Sequence, residues 1–198
     1  MNKLQQYGTV GLIQLIIDIT RTKLIFPNAR IIRFPIDIRG KRFIKVAKGL
    51  TTGRYCRIEA YPQDKKSVVI TLGNDVQIND FVHITAMESV YIGNNVLLAS
   101  KIYISDCSHG FYDGNENDSS PDINPIKRKY KTSAVKIEDN AWIGESVSIL
   151  PGVTIGTNAI IGANSVVTKN VPSNCIAVGN PAKVIKKYNF EAKIWERI

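Results

Sequence analysis

The chain has 198 residues, 44% hydrophobic and 22% charged, which suits one soluble globular domain and excludes an overall disordered chain. Its formal net charge of +9 points to anionic partners, yet no helix-turn-helix, zinc-finger or stacking-aromatic pattern accompanies it, so nucleic acid is not expected. Three cysteines without CxxC or metal spacing, and no signal-like N-terminus, predict reduced thiols, no metal and a cytoplasmic protein.

In chain order, residues 2–20 come first, with helical spacing at Leu4, Val10, Ile13 and Ile17. They predict a helix that caps the next element. Its apolar run is too short to span a bilayer, so membrane contact is expected to be peripheral at most. A basic stretch follows, in which Arg21, Lys23, Arg30, Arg33, Arg39, Lys41, Arg42, Lys45 and Lys48 meet few acids. Residues 1–45 thus read as a helical, basic capping segment.

From Val46 a repeat of six residues begins faintly (VAKGLT, TGRYCR, IEA), and YPQDKKS at 61–67 breaks it. It returns as LGNDVQ and INDFVH from Leu72 and Ile78, then as IGNNVL, LASKIY and ISDCSH from Ile92, Leu98 and Ile104. Residues 110–134 interrupt it again with a stretch rich in Gly, Asn, Asp, Ser and Pro that carries Lys127, Arg128, Lys129 and Lys131. An aliphatic residue then recurs without a miss at Ile137, Ile143, Ile149, Ile155, Ile161 and Val167. After the repeat, Asn189 to Ile198 reads as a short helix carrying Trp195. The expected division is a coil over 46–176, with its insertion at 110–134, and a tail with a helix over 177–198.

A period of six fits neither a helix nor a simple two-faced strand. It fits a triangular all-β solenoid, in which each hexapeptide supplies a short strand and a corner and the aliphatic residue points inward. The period says nothing about handedness. A polar insertion of this length in a compact repeat is usually functional, and it begins directly after His109. Only two histidines exist, His83 and His109.

The repeat, with SDCSHG, the insertion, AWIGE, VVTKNV and GNPAKVI in that order, resembles the hexapeptide-repeat O-acetyltransferases, nearest those of O-antigen and capsule. That resemblance implies a left-handed parallel β-helix, a homotrimer and active sites in the clefts between subunits. It further implies acetyl-CoA as cosubstrate and a sugar hydroxyl of a bacterial surface polysaccharide, or its precursor, as acceptor. A small free sugar is the alternative acceptor, and a non-catalytic glycan-binding scaffold the alternative function. A carbonic anhydrase of the same architecture needs three histidines around zinc.

Family position makes His109 the general base for direct transfer. It also places Ala99, Trp142, Gly144, Ala163, Thr168 and Lys169 along the cofactor, with Lys183 and Lys186 at its phosphate end. Trp142 would touch the acetyl end or the sugar. His83 either lines the acceptor pocket or faces outward. Asp106 either belongs to the substrate site and orients His109 or closes a corner. Two departures matter: Cys107 stands where many relatives have a histidine, and Lys129-Tyr130-Lys131 stands where galactoside-type relatives carry a glutamate. The group that orients His109 is left open.

Overall fold

A computed structural model describes residues 3–198. Within these residues the chain is built from three parallel sheets visited in strict rotation. The first face takes Ile31–Ile32, Thr51–Thr52, Gln77–Ile78, Leu97–Leu98, Trp142–Ile143, Ile160–Ile161 and Cys175–Val178. The second takes Ile36–Arg39, Cys56–Ala60, His83–Ala86, Tyr103–Ser105, Ser148–Ile149 and Val166–Val167. The third takes Ile44–Val46, Ile70–Leu72, Val90–Ile92, Val135–Ile137 and Thr154–Ile155. Each strand pairs with its equivalents one coil below and one above.

The six-residue register is the reason. Ile78, Leu98, Ile143 and Ile161 pair in one column, Ile84, Ile104, Ile149 and Val167 in a second, and Leu72, Ile92, Ile137 and Ile155 in a third. All are at most 1% exposed, so each column is an unbroken stack of aliphatic side chains inside the coil. Burial of each such side chain is worth about 1.5–3 kcal/mol. Corners are turned in the left-handed backbone region, by Asn95, Asn140, Asn158 and Asn164 among others. Asparagine tolerates that region better than most side chains.

Two boundaries differ from expectation. The coil starts at Ile31, not at residue 46, because Ile31–Ile32, Ile36–Arg39 and Ile44–Val46 pair in parallel with the strands of the next coil. The period was hidden because the step from Ile38 to its third-face equivalent Val46 is longer than six residues, with a 3-10 turn at Lys41–Phe43 between them. The same corner, between the second and third faces, holds every other lengthened step: Ile58 to Leu72, Ile84 to Ile92 and Ile104 to Ile137. Insertions therefore gather along one edge of the coil.

The second correction is at the C-terminus, where the expected helix is a β-hairpin. Lys183–Asn189 runs antiparallel to Cys175–Val178, and Ile194–Arg197 pairs antiparallel with it. The last first-face strand would otherwise leave a bare edge. Tyr188 lies opposite Trp195 with their rings edge-on at 5.2 Å, an aromatic cross-strand pair that favours a hairpin over a helix.

At the other end, a helix at Lys3–Ile25, broken at Gly8 (φ 65°), covers the first coil; the expected start at residue 2 lies outside the described residues. Thr22 and Asp18 are buried beneath it. Ile32 N–H donates to Thr22 Oγ1 at 2.7 Å, Thr22 Oγ1 donates to the Asp18 carbonyl at 2.6 Å, and Arg54 reaches the Asp18 carboxylate at 3.5 Å. Among the described residues no helix is long and apolar enough to cross a membrane.

Candidate active site

The edge that collects the insertions also carries the site. On a flat strand alternate residues face outward, so Arg57, His83 and Tyr103 form one outward column of the second face, while Glu59, Thr85 and Ser105 form the next. Beyond Ser105 the chain leaves the coil. Cys107–His109 pairs antiparallel with Tyr130–Thr132, the returning end of the insertion. This short ribbon stands at the side of the second column and closes a pocket of about 510 Å³, lined by Arg57, Glu59, Tyr61, Thr85, Met87, Tyr103, Ser105, Cys107, His109 and Tyr130. A further cavity of about 620 Å³ lies within the insertion, between Phe111, Asp118 and Arg128, and has no histidine in its wall.

His109 is exposed at the pocket mouth. Its ring lies against Tyr130 at 4.5 Å between centroids, its carbonyl accepts from Tyr112 Oη at 2.6 Å, and Gly110 N–H donates to the Lys129 carbonyl at 2.9 Å. The insertion thus fixes the backbone of His109 from both sides. Among the described residues neither ring nitrogen has a hydrogen-bond partner, and the residue lines the pocket.

Of the two readings of Asp106, its hydrogen bonds fit the closing of a corner. It is fully buried, and its carboxylate accepts from the backbone N–H groups of Met87, Glu88 and Ser89 at 2.7–3.1 Å. It fastens the lengthened corner of the coil below, and among the described residues it has no hydrogen bond to His109. Cys107 sits beside His109 in the pocket wall. Burial pushes its thiol up from its ordinary value, so at neutral pH it is a protonated neighbour and not an activated nucleophile.

The residue that sequence reasoning missed is Glu59. Only 3% exposed, it lies on the pocket floor and gathers four side chains. Arg57 binds it in bidentate fashion at 2.7 and 2.8 Å, Arg39 at 3.0 Å, Tyr61 Oη at 2.9 Å and His83 Nε2 at 3.0 Å. Burial alone would raise its pKa, but the hydrogen bonds from Arg57, Tyr61 and His83 outweigh burial and hold the carboxyl below its ordinary value. Stability from this cluster is therefore complete above the unfolded glutamate value and drains as pH falls through the lower folded one. The alternation in Arg57-Ile58-Glu59-Ala60-Tyr61 was the available signal, because it puts three polar residues on one outward face. His83 flanks the pocket through Glu59 and packs edge-on to Tyr103 at 5.4 Å.

The remaining expected residues lie elsewhere on the chain. Trp142 is half-exposed on the first face, in an outward column with Gln77, Leu97 and Ile160. Ala99, Gly144 and Gly162 follow that face at equivalent points of successive coils, and Ala163 is exposed one residue further on. A Cβ on Gly144 would lie 2.7 Å from Ala163 N and 2.8 Å from Ile161 O, so close coil stacking itself demands glycine there. The Gly144 N–H already donates to Ile161 O at 2.8 Å and is not free to stabilise an oxyanion. Thr168 and Lys169 are exposed after the last second-face strand, and Lys183 and Lys186 lie on the C-terminal hairpin. His109 and Trp142 thus occupy different faces of one chain. Among the described residues no group of three or more His, Cys, Asp or Glu is placed to hold a metal ion.

A family model described as bacterial transferase hexapeptide (six repeats) matches residues 134–169. A protein of Escherichia coli K12, provisionally named as the lipopolysaccharide biosynthesis O-acetyl transferase WbbJ, is 43% identical over 193 residues, 98% of this chain and 96% of that one. The chain belongs to the bacterial hexapeptide-repeat acetyltransferases.

Solved structures share the fold. AntD, an N-acyltransferase from Bacillus cereus crystallised as a point variant with dTDP-4-amino-4,6-dideoxyglucose and coenzyme A, superposes with a TM-score of 0.69 at 20% identity, over 87% of this chain and 90% of that one. A hexapeptide-repeat acetyltransferase from Vibrio cholerae, complexed with acetyl coenzyme A, gives 0.52 at 23% identity, over 85% and 74%. An O-acetyltransferase needs a base beside the acceptor hydroxyl and room for a long thioester donor.

Proposed function

We propose that the protein moves an acetyl group from acetyl-CoA directly to a sugar hydroxyl of a bacterial surface polysaccharide or its precursor, in the cytoplasm, with His109 as general base. The observation that carries the reading is the exposed His109 imidazole, free at both nitrogens, at the mouth of a pocket with polar walls. In this reading the coil is left-handed and three copies associate. Trp142 and His109 sit on different faces, so a site using both is assembled from the first face of one copy and the second face of the next. The outward column of Leu97, Trp142 and Ile160 supplies an apolar strip for that cleft.

The chain's residues suit the donor. Small side chains at Ala99, Gly144, Gly162 and Ala163 leave the backbone approachable along one edge. At the far end Lys186 lies directly opposite Arg197, and neither has an acid partner among the described residues. Like charges facing each other across a hairpin are destabilising, and a phosphate between them, with Lys183 nearby, relieves that repulsion. Acetyl-CoA supplies the activated acyl group when bound. His109 accepts the proton of the acceptor hydroxyl as its oxygen attacks the thioester carbonyl; the C–S bond then breaks, and the proton passes from the imidazolium to the departing CoA sulfur. Arg57, Tyr61 and His83, preset by Glu59, orient the sugar; Tyr130 limits the swing of the imidazole.

Two expected outcomes follow from this division of labour. Glu59→Gln raises the acceptor KM about tenfold with a smaller change in kcat, since it loosens groups that bind the sugar and leaves His109 in place. A larger loss in kcat than in KM would contradict the assignment. Cys107→Ser keeps kcat within about threefold, because a protonated thiol takes no covalent part; a loss of a hundredfold would restore a nucleophilic cysteine.

The scaffold alternative predicts no affinity for CoA, and isothermal titration with CoA separates the two readings. Consumption of acetyl-CoA against a panel of surface glycans and small sugars, followed by NMR of the ester, identifies the acceptor.

A further inference from the structure

The positive charge is concentrated at one end of the molecule. Residues 1–48 hold ten lysines and arginines against two acids, a net +8 of the chain's +9. Their strands, Ile31–Ile32, Ile36–Arg39 and Ile44–Val46, are the terminal strands of all three sheets. Both acids are already engaged, Asp18 with Arg54 beneath the helix and Asp37 with Arg39. Arg21, Lys41, Arg42, Lys45 and Lys48 are exposed without an ion pair among the described residues.

The helix over this end is apolar on its outer side. At about 100° per residue Val10, Ile13, Ile17 and Leu24 fall on one face, with Ile16 beside them; the buried Thr22 lies across from them and the buried Asp18 to one side. Val10 is 82% exposed, Leu24 78% and Ile16 64%. Arg21 and Lys23 border the stripe on its two sides. A stripe of large aliphatics edged by cations, standing over a basic ring, is the pattern of a helix that lies in a membrane interface.

We infer that this end of the coil docks on an anionic lipid bilayer, with Val10, Ile13, Ile16, Ile17 and Leu24 in the interface and the first-coil cations over the headgroups. Charge complementarity selects that occupant. A second copy on the same face would bring two +8 ends together. A nucleic acid would neutralise the cations yet leave the aliphatic stripe in water. The inference goes beyond the proposed reaction and does not rest on it. It is lipid, not sugar chemistry, that the helix would recognise, and the pocket plays no part.

The test is flotation of the full chain with phosphatidylcholine vesicles, with and without phosphatidylglycerol. The protein floats with the anionic vesicles, and raising salt from about 0.05 M to 0.5 M releases most of it. The double substitution Ile13→Asp and Ile17→Asp, at exposed positions, weakens binding about tenfold or more with an unchanged unfolding transition. Absence of flotation, or equal recovery on neutral and anionic vesicles, overturns the inference. So does sedimentation velocity in which the double variant forms a smaller assembly than the wild type, since a second copy would then own the face. Turnover on a soluble acceptor stays unchanged in the double variant, so a failure here leaves the catalytic reading separate.

Discussion

His109→Ala is expected to lower kcat about 10²–10⁴-fold, the usual worth of a positioned general base, while the protein folds and melts as the wild type does. The stability half of this expectation comes from the surroundings of the ring. It is exposed and, among the described residues, has no hydrogen bond and touches Tyr130 alone of the aromatic side chains. Truncating such a side chain costs roughly 0.5 kcal/mol or less. The two antiparallel strands that carry it are held by backbone bonds that alanine keeps. Steady-state kinetics beside a thermal melt check both halves. Near-wild-type kcat in a folded variant would remove the base assignment, and the acceptor proton would then have to go elsewhere.

Asp106→Ala should produce the largest loss of stability at the site. Its carboxylate is the acceptor for three consecutive backbone N–H groups, those of Met87, Glu88 and Ser89, in a buried corner. Alanine strands all three donors, and each unsatisfied buried group costs about 1–3 kcal/mol. A total of about 3 kcal/mol or more lowers the melting temperature by roughly 6–12 °C for a chain of this size. The Asp106 carbonyl also accepts from Ser133 N–H at 2.8 Å, where the insertion rejoins the coil. Denaturant unfolding of Asp106→Ala and Asp106→Asn, the latter less damaged because it keeps one acceptor oxygen, measures the effect. An unchanged unfolding midpoint in the alanine variant would mean that the corner is not held as described.

The parts of the fold that were legible in the sequence are those where burial forces a period. Six aliphatics from Ile137 to Val167 must fill one interior, and substitution at any of them leaves a hole, so the register stands out. The first coil was harder to see because its corner between Ile38 and Val46 is lengthened. At that corner the chain is free to grow without disturbing the stacks. The hairpin at the C-terminus was missed for another reason. Residues 183–197 have no interior to fill, and what decides their conformation is a bare strand edge that only the assembled coil presents.

The site divides along the same lines. His109 could be found locally, since scarcity of histidine and the adjoining insertion mark it. Glu59 could not be found so readily. Its importance comes from Arg39, Arg57, Tyr61 and His83, which belong to three successive coils and meet only when the columns stack. Asp106 lies near the histidine in sequence, and its two readings, orienting His109 or closing a corner, separate only once the coils are stacked. It lies between the strands Tyr103–Ser105 and Cys107–His109, and its carboxylate turns to the corner at Met87, Glu88 and Ser89.

A crystal structure with bound CoA decides whether two copies build the site. The CoA sulfur is expected beside the His109 imidazole, in a cleft closed by Trp142 of a second copy, with the phosphate end among Lys183, Lys186 and Arg197. CoA bound on a face remote from His109, or a single chain that gathers the whole site without a second copy, would contradict it.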